Sequence, residues 1–191
     1  SVTGVQTCAL PILVFREWLA AHCRRDEELV RPGWLDRLRR TLSLAGYAVG
    51  VGSLRAIGKE HPALPLQRVN LLGGAAGHVA SEPSAWEAYW RLLTARLEGP
   101  QFFGAAYYGT SFFVGLRALV QSYPLVLAAA RCHAAARRSQ QIGAPDVHYA
   151  VGAIDHTLGR SPLLQASLWR TVEKHFSGSR YGALLCSLGW D

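Results

Sequence analysis

The residues best suited to chemistry lie between positions 146 and 156. Asp146, His148, Asp155 and His156 combine imidazole and carboxylate groups, which are common ligands of zinc and iron. Two ligands on one helix normally stand three or four residues apart, because that spacing places them on one face. His148 and His156 are eight residues apart, roughly 80° out of register at ~3.6 residues per turn. We therefore predict no metal site in this chain and expect these histidines to be structural or superficial.

Arg117 is the second candidate, because it is an arginine inside an otherwise apolar stretch. A guanidinium keeps its proton, so when it is buried it needs a carboxylate or carbonyl groups as partners. One interpretation is a buried ion pair with Asp155 or Glu87. The other is a pocket for an anion or carboxylate, in which Phe112 and Tyr123 line the site beside Arg117. The second interpretation makes these three residues the predicted ligand-binding residues.

The sequence holds no recognisable catalytic motif. The glycines at 73, 74 and 77 lack the Gly-Lys-Ser/Thr ending of a phosphate loop, and no nucleophile-elbow or zinc-protease pattern is present. We accordingly predict no catalytic residues and no enzymatic activity for this stretch.

Cysteine usage and charge restrict the function classes further. The 4 cysteines are far apart, which excludes zinc ribbons and iron–sulfur clusters built by this chain alone. Scattered thiols are typical of a reducing compartment, so we predict a cytoplasmic protein. The formal net charge is +7. The arginines stand in short, separated pairs rather than one basic stripe, and we therefore predict no nucleic-acid partner.

Apolar spacing predicts an all-α fold, an irregular bundle of about six to seven helices with a long kinked central helix. A helix is expected from residue 84 to about 97, because Ser84 and Glu87 have the spacing of a capping box. Its predicted apolar stripe consists of five residues: Trp86, Tyr89, Trp90, Leu93 and Leu97. Gly99-Pro100 should end this helix.

The predicted central helix runs from about residue 111 to 138, with Pro124 expected to kink it. Its first part is apolar enough to raise the question of a membrane span. However, Arg117 in mid-span would cost at least ~2.5 kcal/mol in a bilayer. We therefore expect a buried bundle helix and no membrane partner. Shorter helices are predicted to begin at Pro145 or Asp146, at Ser161-Pro162 and at about residue 180.

Four segments follow from these patterns. Residues 1–12 resemble a translated sequencing adapter, and the chain contains no Met, so we expect it to be a piece of a longer polypeptide. Residues 13–48 are predicted to form a helical hairpin. Residues 49–83 are rich in Gly and Pro and are predicted to be an irregular connection. Residues 84–191 are predicted to form the C-terminal helical bundle.

Several stretches of this bundle carry a family resemblance. The segments R-L-L-T-A-R-L at 91–97, F-F-V-G-L-R-A-L-V-Q-S-Y at 112–123, D-V-H-Y-A at 146–150 and D-H-T-L-G-R-S-P-L-L at 155–164 are similar to the helical tail of bacterial cysteine-cluster proteins. That group includes flagellin lysine-N-methylase-like proteins and others described as zinc- or iron-chelating. In the family, the metal-binding cysteines precede this tail. The resemblance thus implies Zn or Fe in the full-length protein, no cofactor in this chain, and no family site residue within it.

Two functions remain open at this point. The first is a non-catalytic helical accessory domain, whose partner is the cysteine-cluster region of the same protein. The second is a self-contained helical module that binds a small ligand or a protein partner through the pocket formed by the aromatic segment and Arg117.

Overall fold

The structure is a computed structural model that describes residues 83–165 and 167–178, together with residues 15, 18–19, 21–23, 53–54 and 64–65. These residues confirm the all-α fold class. The elements are β1 (Ser53–Leu54), β2 (Leu64–Pro65), α1 (Glu87–Glu98), α2 (Phe112–Ala136), α3 (Ala144–Thr157), α4 (Pro162–Gln165) and α5 (Ser167–Gly178). Four helices in the described part have twelve residues or more, which is fewer than the six to seven predicted for the whole chain.

Little of the region before residue 83 is described. Phe15, Trp18 and His22 are helical, in the first half of the predicted hairpin. The two-residue strands β1 and β2 pair antiparallel, with Ser53 opposite Pro65, inside the segment predicted to be an irregular connection. The adapter-like residues, the second helix of the hairpin and the helix expected from about residue 180 lie outside the described residues.

The start of α1 differs from the prediction. A 3-10 turn over Pro83–Trp86 precedes the helix, so that its N-cap is Trp86, which makes no side-chain capping bond. The predicted capping box is therefore wrong, and Glu87 instead forms an ion pair with Arg91 at 2.5 Å. The predicted end is confirmed, since Gly99 is the C-cap and its N–H donates to the carbonyl of Ala95.

The buried face of α1 agrees with the predicted stripe only in part. Trp86 and Tyr89 are buried and Leu93 is half-buried against the core. Tyr89, Leu92 and Arg96 are the buried residues of this helix, whereas Trp90 is 60% exposed and Leu97 is 49% exposed. The spacing 89, 92, 96 defines one helical face, and Trp90 with Leu97 lies on the next face around the axis. Tyr89 is held on the inner face because its hydroxyl lies 3.2 Å from the Ser122 hydroxyl of α2.

The central helix is α2, which runs through the buried Pro124 without interruption. Its C-terminal half presents small residues to α3, and Ala129, Ala130 and Ala134 have no exposed surface. Small side chains allow helix axes to approach closely, so Val147 and Ile154 of α3 are also completely buried. By length and composition α2 could cross a membrane, but 56% of its most apolar window is buried inside the fold, as in the core helix of a globular protein.

The connection between α1 and α2 packs tightly on the start of α2. It contains a 3-10 turn over Ala105–Tyr107 and a bridge between Gly104 and Thr110. Gly115 of α2 lies directly beneath it, because a β-carbon built there would be 1.6 Å from the carbonyl oxygen of Phe102. A second apolar cluster forms at this contact, consisting of Phe102, Tyr107, Ala118, Leu119 and Leu158.

The starts of the last helices follow their sequence signals. Gly143 is the N-cap of α3, Pro145 is in its first turn, and the Asp146 carboxylate accepts the Gly143 N–H at 2.9 Å. Pro162 begins a helix directly after Ser161, as expected for Pro at a first helical position. Residues 162–165 and 167–178 are both helical, within the single helix predicted beyond this point.

Candidate functional site

Asp146, the most deeply buried acidic residue described, is fully engaged in holding α2 to α3. One carboxylate oxygen accepts from His133 Nδ1 at 2.7 Å and from the Arg137 guanidinium at 3.1 Å, and the other caps α3 at Gly143. The His133 ring stacks on Tyr149, with centroids 4.3 Å apart. These bonds satisfy a buried charge, so the cluster stabilises the end of α2 against the start of α3.

The other residues of the suspected metal cluster are dispersed. His148 and His156 are exposed, and Asp155 bonds to Arg96. In the part of the chain that the structure describes, no group of three or more His, Cys, Asp and Glu side chains is placed to hold a metal ion. The eight-residue spacing therefore does not converge on one site here.

Among the described residues, Arg96 has the most deeply buried arginine side chain. This residue is 3% exposed, and it donates to the Asp155 carboxylate at 2.5 Å and to the Asp155 carbonyl at 3.3 Å. A weaker bond of 3.4 Å reaches the carbonyl of Gln101. Arg96 therefore joins α1, α3 and the start of the α1–α2 connection.

Arg117 does not occupy the environment predicted for it. It is exposed on α2. Both carboxylates proposed as its partners pair with other arginines, Asp155 with Arg96 and Glu87 with Arg91. The expectation of a buried ion pair at Arg117 is therefore wrong, because α2 turns this residue away from the core while its apolar neighbours face inward.

The three predicted ligand-binding residues lie on separate parts of α2. The Phe112 ring contacts Phe102 at 5.3 Å between centroids. Tyr123 is half-buried against Trp86 at 5.4 Å. Phe112 and Tyr123 are eleven residues apart, which is about 16 Å along a helix that rises ~1.5 Å per residue. Arg117 projects from another face, so α2 does not bring these side chains into one pocket.

A second buried carboxylate, Glu173, fixes α5 to the α1–α2 connection. It accepts hydrogen bonds from the Tyr107 hydroxyl and, at 2.5 Å, from the Arg170 guanidinium. That guanidinium also lies 5.6 Å from the ring centroid of Tyr107 and 5.1 Å from that of Tyr108, within cation–π range. The Tyr108 hydroxyl donates to the carbonyl of Ser161 at 3.1 Å.

Burial governs the ionisation of this cluster. Desolvation raises the pKa of Glu173, and it raises the pKa of Tyr107 well above its ordinary value. The same cause raises the pKa of Tyr108 to about 12. The two phenols thus remain protonated donors at neutral pH, and the bonds described here serve to dock α5.

The described residues near the N-terminus pack into the main apolar core. The Thr157 hydroxyl donates to the backbone carbonyl of His22 at 2.7 Å. Complete burial lowers the pKa of His22 to about 3, so the imidazole is neutral. Cys23 and Cys132 are buried thiols, and burial raises the pKa of Cys23. A protonated buried thiol is a poor nucleophile.

The outward face of α1 carries a shallow depression that is open to solvent. A groove of about 390 Å³ follows the helix, and it is lined by Glu87, Trp90, Arg91, Thr94, Ala95 and Glu98. All but one of these residues is polar or aromatic, and all six are exposed. The groove is open to solvent and is lined by one helix, so it is not an enclosed pocket.

Sequence reasoning missed the three residues that organise the polar core, namely Arg96, Tyr107 and Glu173. A local signal existed for Arg96, because it stands four residues after Leu92 and seven after Tyr89, on the same face. Tyr107 and Glu173 are 66 residues apart, and no local pattern connects them.

Comparison with known proteins adds no assignment. No family model matches this chain, and no match is found among curated proteins or solved structures. The resemblance to cysteine-cluster proteins thus stays a prediction, and function has to be argued from the clusters and surfaces of the molecule itself.

Proposed function

We propose that this chain is a non-catalytic helical accessory domain of a cysteine-cluster protein. Its partner would be the cysteine-cluster region of the same polypeptide, which would hold Zn or Fe. The chain itself would pack against that region and position it. This is the role that the sequence resemblance implies, and two features of the fold support it.

The first supporting feature is the use made of buried charge. Asp146, Arg96 and Glu173 are all buried, and each is engaged in bonds that join two elements of the fold. A group that is committed to structural bonds on several sides is poorly placed to bind and turn over a substrate. These side chains therefore favour a scaffold over a catalytic centre.

The observation that carries the proposal is the exposure of large apolar side chains. Phe113 is 72% exposed and Trp90 is 60% exposed. Leu97, Phe112 and Val120 are exposed as well, so that the outward surfaces of both α1 and α2 carry apolar groups. Apolar groups that form a contiguous patch mark surfaces that contact other proteins or domains. The Phe112 and Phe113 rings are adjacent in this way, with centroids 5.5 Å apart. A domain built to pack against a neighbour requires surfaces of this kind.

Metal analysis of the purified chain tests the proposal. After dialysis against metal-free buffer, elemental analysis should find far less than one equivalent of Zn or Fe, because the proposed ligands lie in another region. Retention of about one equivalent would overturn the accessory role, since the chain would then hold its own metal centre.

The source gene supplies the second test. The reading frame upstream of codon 13, recovered from genomic DNA, should encode several closely spaced cysteines in the manner of Cys-x-x-Cys. An upstream frame without a cysteine cluster would remove the partner that the proposal names.

A further inference from the structure

We draw no further inference here: the strongest candidate, the exposed aromatic surface patch that Phe112 and Phe113 form at the start of α2, belongs to the surface that the proposed function already uses, and nothing in the described part of the structure shows what covers it.

Discussion

The two faces of α1 carry similar residues in opposite environments. The inner face buries Tyr89 and the ion pair of Arg96 with Asp155, while the outer face exposes Trp90 and the ion pair of Arg91 with Glu87. Both ion pairs have an N–O distance of 2.5 Å. Each face thus carries one aromatic ring and one arginine–carboxylate pair of the same length, and the two faces differ in burial.

This contrast distinguishes the residues of α1 that stabilise the fold from those that stay exposed to solvent. A buried aromatic ring gains free energy from leaving water, and a buried ion pair must be complete because a lone charge is costly there. An exposed ring or ion pair contributes little to folding, which leaves it available for contact with a partner. The inner face of α1 accordingly stabilises the fold, whereas the outer face contributes little to it.

The largest expected effect separates two neighbouring aromatic residues. Tyr89→Ala should lower the free energy of unfolding by about 3 to 5 kcal/mol, because it empties a buried site. Trp90→Ala should change it by less than ~0.5 kcal/mol, as for most surface substitutions. Urea titration followed by circular dichroism measures both. If Trp90→Ala lowered the free energy of unfolding by more than about 2 kcal/mol, the indole would have to pack in the fold. The two faces of α1 would then not differ as described.

The next largest effect should separate the two ion pairs by their contributions to stability. Arg96→Met removes the hydrogen-bond donor of Asp155 and should lower the free energy of unfolding by about 2 kcal/mol. The loss stays moderate because the Asp155 carboxylate is still partly in contact with water. Arg91→Met on the outer face should cost under ~0.5 kcal/mol.

Salt sharpens this second test. In about 1 M NaCl the outer pair is screened, and any cost of Arg91→Met should disappear, whereas the cost of Arg96→Met should persist. Urea titrations at low and high salt make the comparison. If Arg91→Met and Arg96→Met lowered the free energy of unfolding equally, burial could not be what distinguishes the two ion pairs.

Lowering the pH should reduce the free energy of unfolding through His22, by a smaller amount per pH unit than the substitutions at buried sites described above. The folded-state pKa of His22 is lowered from 6.5 to about 3, so the folded protein binds fewer protons than the unfolded chain. Its stabilising contribution is complete above pH 6.5 and is lost as the pH falls toward 3. The free energy of unfolding should drop by about 1.4 kcal/mol per unit within this window.

Matched variants isolate the contribution of His22. In urea titrations between pH 7 and pH 5, His22→Gln should remove this part of the slope. Leu19→Ala, which also weakens the core, should lower stability equally at each pH and keep the slope. An unchanged slope in His22→Gln would mean that this imidazole does not govern the acid response.

Local signals in the sequence predicted several helix boundaries, although not the start of α1. Gly99 ends α1, Pro162 begins α4, and the central helix was placed within two residues of the observed α2 at its C-terminal end. These features depend on backbone conformations that Gly and Pro favour or forbid, and they are readable without knowledge of tertiary contacts.

The orientation of each helix could not be predicted in the same way. In α1, Trp90 and Leu97 form one apolar stripe and Tyr89 with Leu92 forms another, and only tertiary packing decides which stripe is buried. The same ambiguity placed the buried guanidinium at Arg117 instead of Arg96. Contacts such as Tyr107 with Glu173 join distant parts of the chain, so no spacing rule could reveal them.

Gly115 offers a marker for recognising relatives of this protein. Because any larger residue there would collide with the chain passing over α2, substitution should be tolerated only when that connection is rebuilt. Distant homologues that keep this crossing should retain glycine two residues after the second of the two phenylalanines that open the helix, even where surrounding positions have diverged. Requiring that glycine in a proposed alignment would distinguish sequences that share this crossing from those that are merely helical.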